Sequence, residues 1–283
     1  MALTVGSLFA GIGGFDLGLE RAGFEIRWQV EIDPFCRAVL AKHWPAVKRY
    51  EDVRTVGAEL ERVDVICGGF PCQDISSAGA KAGLDGEQSG LWFEMSRLVR
   101  QLRPRYVVVE NVADLLARGL GRVLGDLAAC GYDAEWDCIQ AAAVGAPHGR
   151  DRLWLVAYPN ADEGRREVGR ERDSTTVQNA SDWRPRRHDA DGLRADVSDA
   201  AGASEAGRAR RWSRARIDFE RWRADARQRA GWEAEPAICR VANGVSPGLD
   251  NARLAALGNA IVPQIAEWIG RRILEAEARR YAA

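Results

Sequence analysis

Two groups of residues have side chains and spacing suited to chemistry. The first is Cys72, which follows Pro71 directly in GGFPCQDIS, at the mouth of the apolar run VDVIC. Cysteine is the most nucleophilic ordinary side chain and reacts as its thiolate. A thiol displayed on a Gly-Gly-Phe-Pro turn therefore suggests covalent catalysis, although an unreactive cysteine in a surface loop would look the same. Cys67 lies inside the apolar run, where cysteine behaves as a small hydrophobe. The second group is FAGIGG, Phe9 to Gly14, followed by Glu31 at the end of a later apolar stretch. A dinucleotide fingerprint would need glycine where this chain has Asp16, and the Gly-Lys-Ser/Thr of a phosphate-gripping loop is missing. Glycines between a first strand and a first helix still let a ligand press against bare backbone, and a helix N-terminus favours a carboxylate. Glu31 is placed to accept ribose hydroxyls. A nucleoside without phosphates but with a carboxylate, S-adenosylmethionine, suits this set. A tight turn followed by a solvated strand-end acid accounts for it equally.

Both groups need a scaffold that brings strand ends together. ALTVGSLFAG reads as a buried strand ending in a sharp turn, GFDLGLERAGF as a helix, and EIRWQVEID as an alternating strand closing on acids. PFCRAVLAKHW is helical, VDVIC is a strand, and Leu91, Met95, Leu98 and Leu102 repeat at helical spacing. RYVVVENV is an apolar strand closing near Glu110, DLLARGLGRVLGDLAACGY is helical by its leucines, and RLWLVAY is a last strand. Strands alternating with helices predict an α/β fold, a mostly parallel sheet covered on both faces. Ligands then sit beyond the carboxyl ends of the strands, the edge to which Cys72 and Glu31 belong. Cysteines and histidines show no metal spacing and no disulfide framework, so reduced thiols in a cytoplasm are expected. With 46% hydrophobic residues the chain can bury a sizeable core, and no apolar run is long enough to span a bilayer. The net charge of −1 leaves any nucleic-acid contact to a local patch.

Composition shifts near Pro159. From there to about Arg240 lysine is absent and apolar runs vanish, which marks a small insertion. Between Arg208 and Arg229, nine arginines stand against Asp218, Glu220 and Asp225, with Trp212, Phe219 and Trp222 on what could be one helical side. That stretch reads equally as an internally paired, solvated helix face or as a DNA contact. After NGVSPGLDNARLAALGNAIVPQ comes an amphipathic end helix, IAEWIGRRILEAEARR.

Five ordered motifs together resemble the C5-cytosine DNA methyltransferase family, of the bacterial or phage type. SLFAGIGGFDLGLERAGF resembles its first, S-adenosylmethionine-binding motif, and GGFPCQDIS its Pro-Cys nucleophile motif. ENV looks like its catalytic glutamate motif, GAPHGRDRLW its paired-arginine motif and LGNAIVP its last motif. The resemblance covers residues 3 to about 158 and about 245 to 275. It implies a Rossmann-like, S-adenosylmethionine-dependent methyltransferase fold with residues 1–158 as catalytic and cofactor-binding domain. Residues 159–244 would be a short, Arg-rich target-recognition region, and 245–283 a segment and helix returning to the first domain.

The family's chemistry, carried onto this chain, makes Cys72 the nucleophile that adds to C6 of a flipped cytosine, so that C5 can take a methyl group. Glu110 would contact or protonate N3, and Arg152 and Arg150 would hold O2 and the adjoining loop. Phe9 would touch the adenine, Gly11, Gly13 and Gly14 would allow close approach, Glu31 would hold the ribose and Asp52 the adenine amino group. Asn259 would lie near the methionine end, and Pro71, grouped with the cofactor residues, would fix the backbone and aim the thiol. SSAGAKAGLDGEQSG, after Cys72, would be a lid or simply a long surface loop. His148 stands where the family usually has glutamine. Expected partners are S-adenosylmethionine and double-stranded DNA, with no metal and no membrane. A restriction endonuclease is a further partner if the enzyme belongs to such a pair, and a monomer suffices because flipping one base requires no symmetry. RNA cytosine methylation on the same scaffold and a catalytically silent nucleic-acid-binding relative are the alternatives.

Overall fold

The structure is a computed structural model, and it describes residues 2–71, 90–146, 148–160 and 247–281. Cys72, the glycine- and serine-rich loop after it and the Arg-rich stretch from Arg208 to Arg229 lie outside the described residues.

Seven strands form one sheet in the order β3-β2-β1-β4-β5-β7-β6. These are β1 (Thr4–Leu8), β2 (Glu25–Val30), β3 (Lys48–Tyr50), β4 (Val65–Gly68), β5 (Tyr106–Val112), β6 (Tyr132–Gln140) and β7 (Asp151–Pro159). β1 to β5 run parallel, while β7 is antiparallel to both β5 and β6. From β1 the chain builds outward through β2 and β3, then returns to lay β4 on the other side of β1. The order therefore reverses between β1 and β4, the place where open α/β sheets bind ligands beyond their carboxyl ends. The result is a Rossmann-like sheet, mostly parallel as expected.

Residues of β5 and β7 alternate between two packed faces. Val107, Val109, Leu153, Leu155 and Ala157 join a core with Trp92, Met95, Leu98, Val99 and Leu102 of α3 (Leu91–Leu102). Val123 and Leu127 of α5 (Leu120–Ala129) complete that layer. The other face meets α1 (Gly14–Ala22), whose Phe15 ring stands edge-on to Trp154 at 5.5 Å. Such a pair adds about 0.5–1.5 kcal/mol beyond area burial. The end helix, α7 (Pro263–Tyr281), lies on α1, and a β-carbon on Gly18 would sit 2.6 Å from that of Ala266. α2 (Pro34–His43) starts on Pro34 with Asp33 as its cap, the Asp33 Oδ1 accepting from the Cys36 amide at 2.9 Å.

Several elements depart from the sequence reading. DLLARGLGRVLGDLAACGY is two helices, α4 (Leu115–Arg118) and α5, because Gly119 leaves helical geometry at φ −177°. β3 and β6 were not anticipated: three residues, and a strand carrying Asp133, Glu135 and Asp137, lack the apolar signature of a buried strand. Both are edge strands, which tolerate polar residues on their open side. The connector before the end helix is itself helical, α6 (Pro247–Asn259). Among the described residues no helix is long and apolar enough to cross a membrane.

Candidate active site

The carboxyl edge of the sheet opens into a cavity of about 660 Å³. Its lining includes Phe9, Gly11, Glu31, Asp52, Pro71, Glu110, Arg150, Arg152 and Asn259, brought together from seven separate stretches of chain.

The loop after β1 turns through three left-handed residues, Phe9 at φ 53°, Gly11 at φ 56° and Gly13 at φ 87°. A non-glycine residue in that region is strained by about 1 kcal/mol or more, and here it lies in the cavity wall. Glu31 braces the loop. Its Oε2 accepts from the Gly11 amide at 2.7 Å and its Oε1 from the Asp33 amide at 2.8 Å. Each carboxylate oxygen retains a further lone pair for a hydroxyl donor. Arg37 supports the bracket by donating to the Glu31 and Ile32 carbonyls at 3.2 and 2.7 Å. A β-carbon on Gly11 would meet nothing within 4 Å, so its bare face opens onto free space.

Gly13 and Gly14 do not line the cavity, and the close approach they permit is to protein. A β-carbon on Gly13 would lie 2.4 Å from the Trp44 ring, and one on Gly14 2.6 Å from the Ile261 carbonyl oxygen. Asp52 lines the cavity, but it also caps the short turn Val53–Thr55, accepting from the Arg54 amide at 3.0 Å and from its guanidinium at 2.7–3.1 Å. That cation holds the carboxyl below the usual carboxylate range. Under the loop, Asp16 is fully buried, with Ser7 Oγ donating to it at 3.1 Å and Gln29 Nε2 at 2.8 Å. Burial pushes its pKa up to about 6.

Glu110 comes from the end of β5 and is 7% exposed. The loss of water raises its pKa to about 7, against the pull of Arg152 and Arg150. Arg152 Nε lies 3.1 Å from Glu110 Oε1. The antiparallel course of β7 makes this possible: Val112 pairs with Arg152 and Glu110 with Trp154, so the start of β7 lies at the carboxyl end of β5. Arg150, just before β7, donates to the Gly258 carbonyl of α6. His148 is exposed in the loop ahead of it. Asn111 is buried beside Glu110, and its Nδ2 donates at 3.1 Å to the Phe70 carbonyl, two residues before the expected nucleophile. Pro71 lines the cavity at the last described position before Cys72. Cys67 is buried in β4 with its thiol raised well above the usual range by burial.

Sequence reasoning assigned no role to Ile32, Arg54 or Asn111, nor to Ala252, Ala255 and Ala256, which all share the lining. The helical spacing of Ala252, Ala255, Ala256 and Asn259 was the available signal for the last group. The cavity joins an acid, an aromatic ring in its wall and a glycine whose bare face is open, features that suit a nucleoside without phosphates.

Residues 3–229 match the C-5 cytosine-specific DNA methylase family. The chain belongs to that family. It is 37% identical over 163 residues to the type II methyltransferase M2.BsuMI of Bacillus subtilis strain 168, covering 55% of this chain and 42% of that protein. It is 33% identical over 168 residues to the type II methyltransferase M.Bsp6I of Bacillus sp. strain RFL6, covering 56% and 53%. The chain thus spans about half the length of the curated relatives it matches. The fold extends to the S. pombe Dnmt2 methyltransferase, with a TM-score of 0.58 over 97% of this chain and 99% of that one, at 15% identity.

Proposed function

We propose that this member of the C-5 cytosine-specific DNA methylase family is a DNA (cytosine-5-)-methyltransferase that uses S-adenosylmethionine. The observation that carries the reading is Glu110, a buried carboxyl whose pKa burial raises to about 7. It is paired with Arg152 in the same cavity as the Glu31 and Gly11 bracket.

Cytosine C5 is too weak a nucleophile to be methylated directly. In the proposed reaction the Cys72 thiolate adds to C6, and the displaced electron pair enriches C5 while N3 takes the proton of the Glu110 carboxyl. Proton donation at N3 keeps negative charge from building on the ring, which in a dry site is worth far more than in water. Arg152 orients the carboxyl that donates and offers further N–H groups to O2. Bound S-adenosylmethionine supplies an electrophilic methyl group on a positively charged sulfur. Glu31 would hold its ribose, Phe9 its adenine, and Asn259 would stand near its methionine end. After C5 is methylated, water acting as base takes its proton, the freed electron pair forms the C5–C6 double bond and expels the Cys72 thiolate from C6, and N3 returns its proton to Glu110.

Access to Cys72 from a duplex requires flipping the target nucleotide. Residues 159–244 are proposed as the target-recognition region, with arginines supplying phosphate affinity. Action as a monomer in a bacterial or phage-infected cytoplasm, alone or beside a restriction endonuclease, belongs to the same proposal. The test is base-resolution mapping of 5-methylcytosine in plasmid DNA from cells expressing the wild type or Cys72→Ser. A fixed motif methylated by the wild type alone is expected. Equal methylation by Cys72→Ser would sink the mechanism, and methyl incorporation into RNA alone would transfer it to the RNA substrate.

A further inference from the structure

The segment after α6 reaches two parts of the site at once. A β-carbon on Gly14, at the start of α1, would lie 2.6 Å from the Ile261 carbonyl oxygen and 2.8 Å from Ile261 Cβ. One on Gly69, in the loop leading to Pro71, would lie 3.0 Å from Glu110 Oε2 and 3.5 Å from Ile261 Cδ1. The δ-methyl of Ile261 and the Glu110 carboxyl therefore flank the same small gap, left by a residue without a side chain.

We propose that Ile261 is a positioning residue for the acid step: its δ-methyl closes the gap at Gly69 against water and so keeps Glu110 in its proton-holding form. The inference rests on the proton-donor role given to Glu110 above. The geometry separates two functions of one residue. Its backbone and Cβ seat the C-terminal segment on α1, while Cδ1 lies at the Gly69 gap that the carboxyl also borders. The charged groups facing Glu110 are Arg152 and Arg150, from β7 and the loop before it, and both favour the ionised form. Gly69 and Ile261 bring no charge, and Asp16 of α1 is bonded to Ser7 and Gln29. With two cations opposing it, the high proton affinity of Glu110 depends on dryness, and water admitted at Gly69 lets the arginines prevail.

The test is a graded series at one position. Ile261→Leu retains a δ-carbon, Ile261→Val removes Cδ1 while keeping Cβ and the contact with Gly14, and Ile261→Thr matches Val in shape but adds a hydroxyl. The Glu110 carboxyl is titrated by carbon-13 NMR in each, assigned by its loss in Glu110→Gln. A Cys72→Ser background removes the one thiol that shares the proposed chemistry. In parallel, the pH dependence of methyl transfer is measured with Cys72 present. Leu should leave the midpoint near that of the wild type, Val should lower it, and Thr should lower it by about one unit, a tenfold loss of protonated enzyme above the midpoint. The alkaline limb of the rate profile should move with it. An unmoved midpoint in folded Val and Thr proteins, or a wild-type midpoint in the ordinary carboxylate range, overturns the inference. If midpoints follow the series but the wild type methylates no DNA, the proposed function fails and the role of Ile261 in holding the proton stands.

Discussion

Replacing Asp16 with asparagine should stabilise this protein, and by an amount that depends on pH. Asp16 is fully buried beneath the loop after β1, where burial raises its pKa from 3.8 to about 6. The folded state keeps the proton up to about pH 6, while the unfolded chain releases it near 3.8. Stability from this group is thus complete below 3.8 and is lost as pH rises through 6. At 1.36 kcal/mol per unit, the buried carboxylate costs about 3 kcal/mol at pH 8 and about half that at pH 5. Asparagine cannot ionise, yet it can keep both bonds: its carbonyl accepts from Gln29 Nε2 and its amide donates to Ser7 Oγ. Urea unfolding of Asp16→Asn and wild type at both pH values measures the gap. Glu110 titrates equally in both proteins, so its contribution cancels. The expected result is a variant about 3 kcal/mol more stable at pH 8, with a gap about half as large at pH 5 and methyl transfer intact. A gap that is equal at the two pH values, or a wild type more stable at pH 8, refutes the reasoning.

Alanine at Gly14 should differ from alanine at Gly11. Gly14→Ala drives a β-carbon to 2.6 Å from the Ile261 carbonyl and should lower stability by about 1–3 kcal/mol, seen as a fall in melting temperature. Gly11→Ala meets open space at φ 56° and should lose about 1 kcal/mol. Its main effect, by calorimetric titration with S-adenosylhomocysteine, should be weaker binding. Asn111→Ala removes the donor to the Phe70 carbonyl. Losing that bond, at about 1–3 kcal/mol, should reduce kcat about tenfold or more while leaving KM for the cofactor near that of the wild type.

Much of the site was legible because its chemistry follows strand ends. Apolar runs that stop on glycine, acid or cysteine mark the carboxyl edge of a parallel sheet, so Glu31 and Glu110 could be placed before any coordinates. The glycines were harder. FAGIGG shows that side chains are absent, and only the structure shows that Gly11 faces the cavity while Gly13 and Gly14 face Trp44 and Ile261. A missing β-carbon has no direction in a sequence.

The sequence by itself determined the periodic elements, the exclusion of a phosphate-gripping loop and the order of five motifs, because these depend on local spacing and residue type. Tertiary structure decided the rest. The antiparallel course of β7 carries Arg152 to Glu110, since strand direction depends on which neighbours pair. The protonation of Glu110 near neutrality is likewise a tertiary property: burial and facing charge come from residues far apart in the chain, and only packing brings them within reach of one carboxyl.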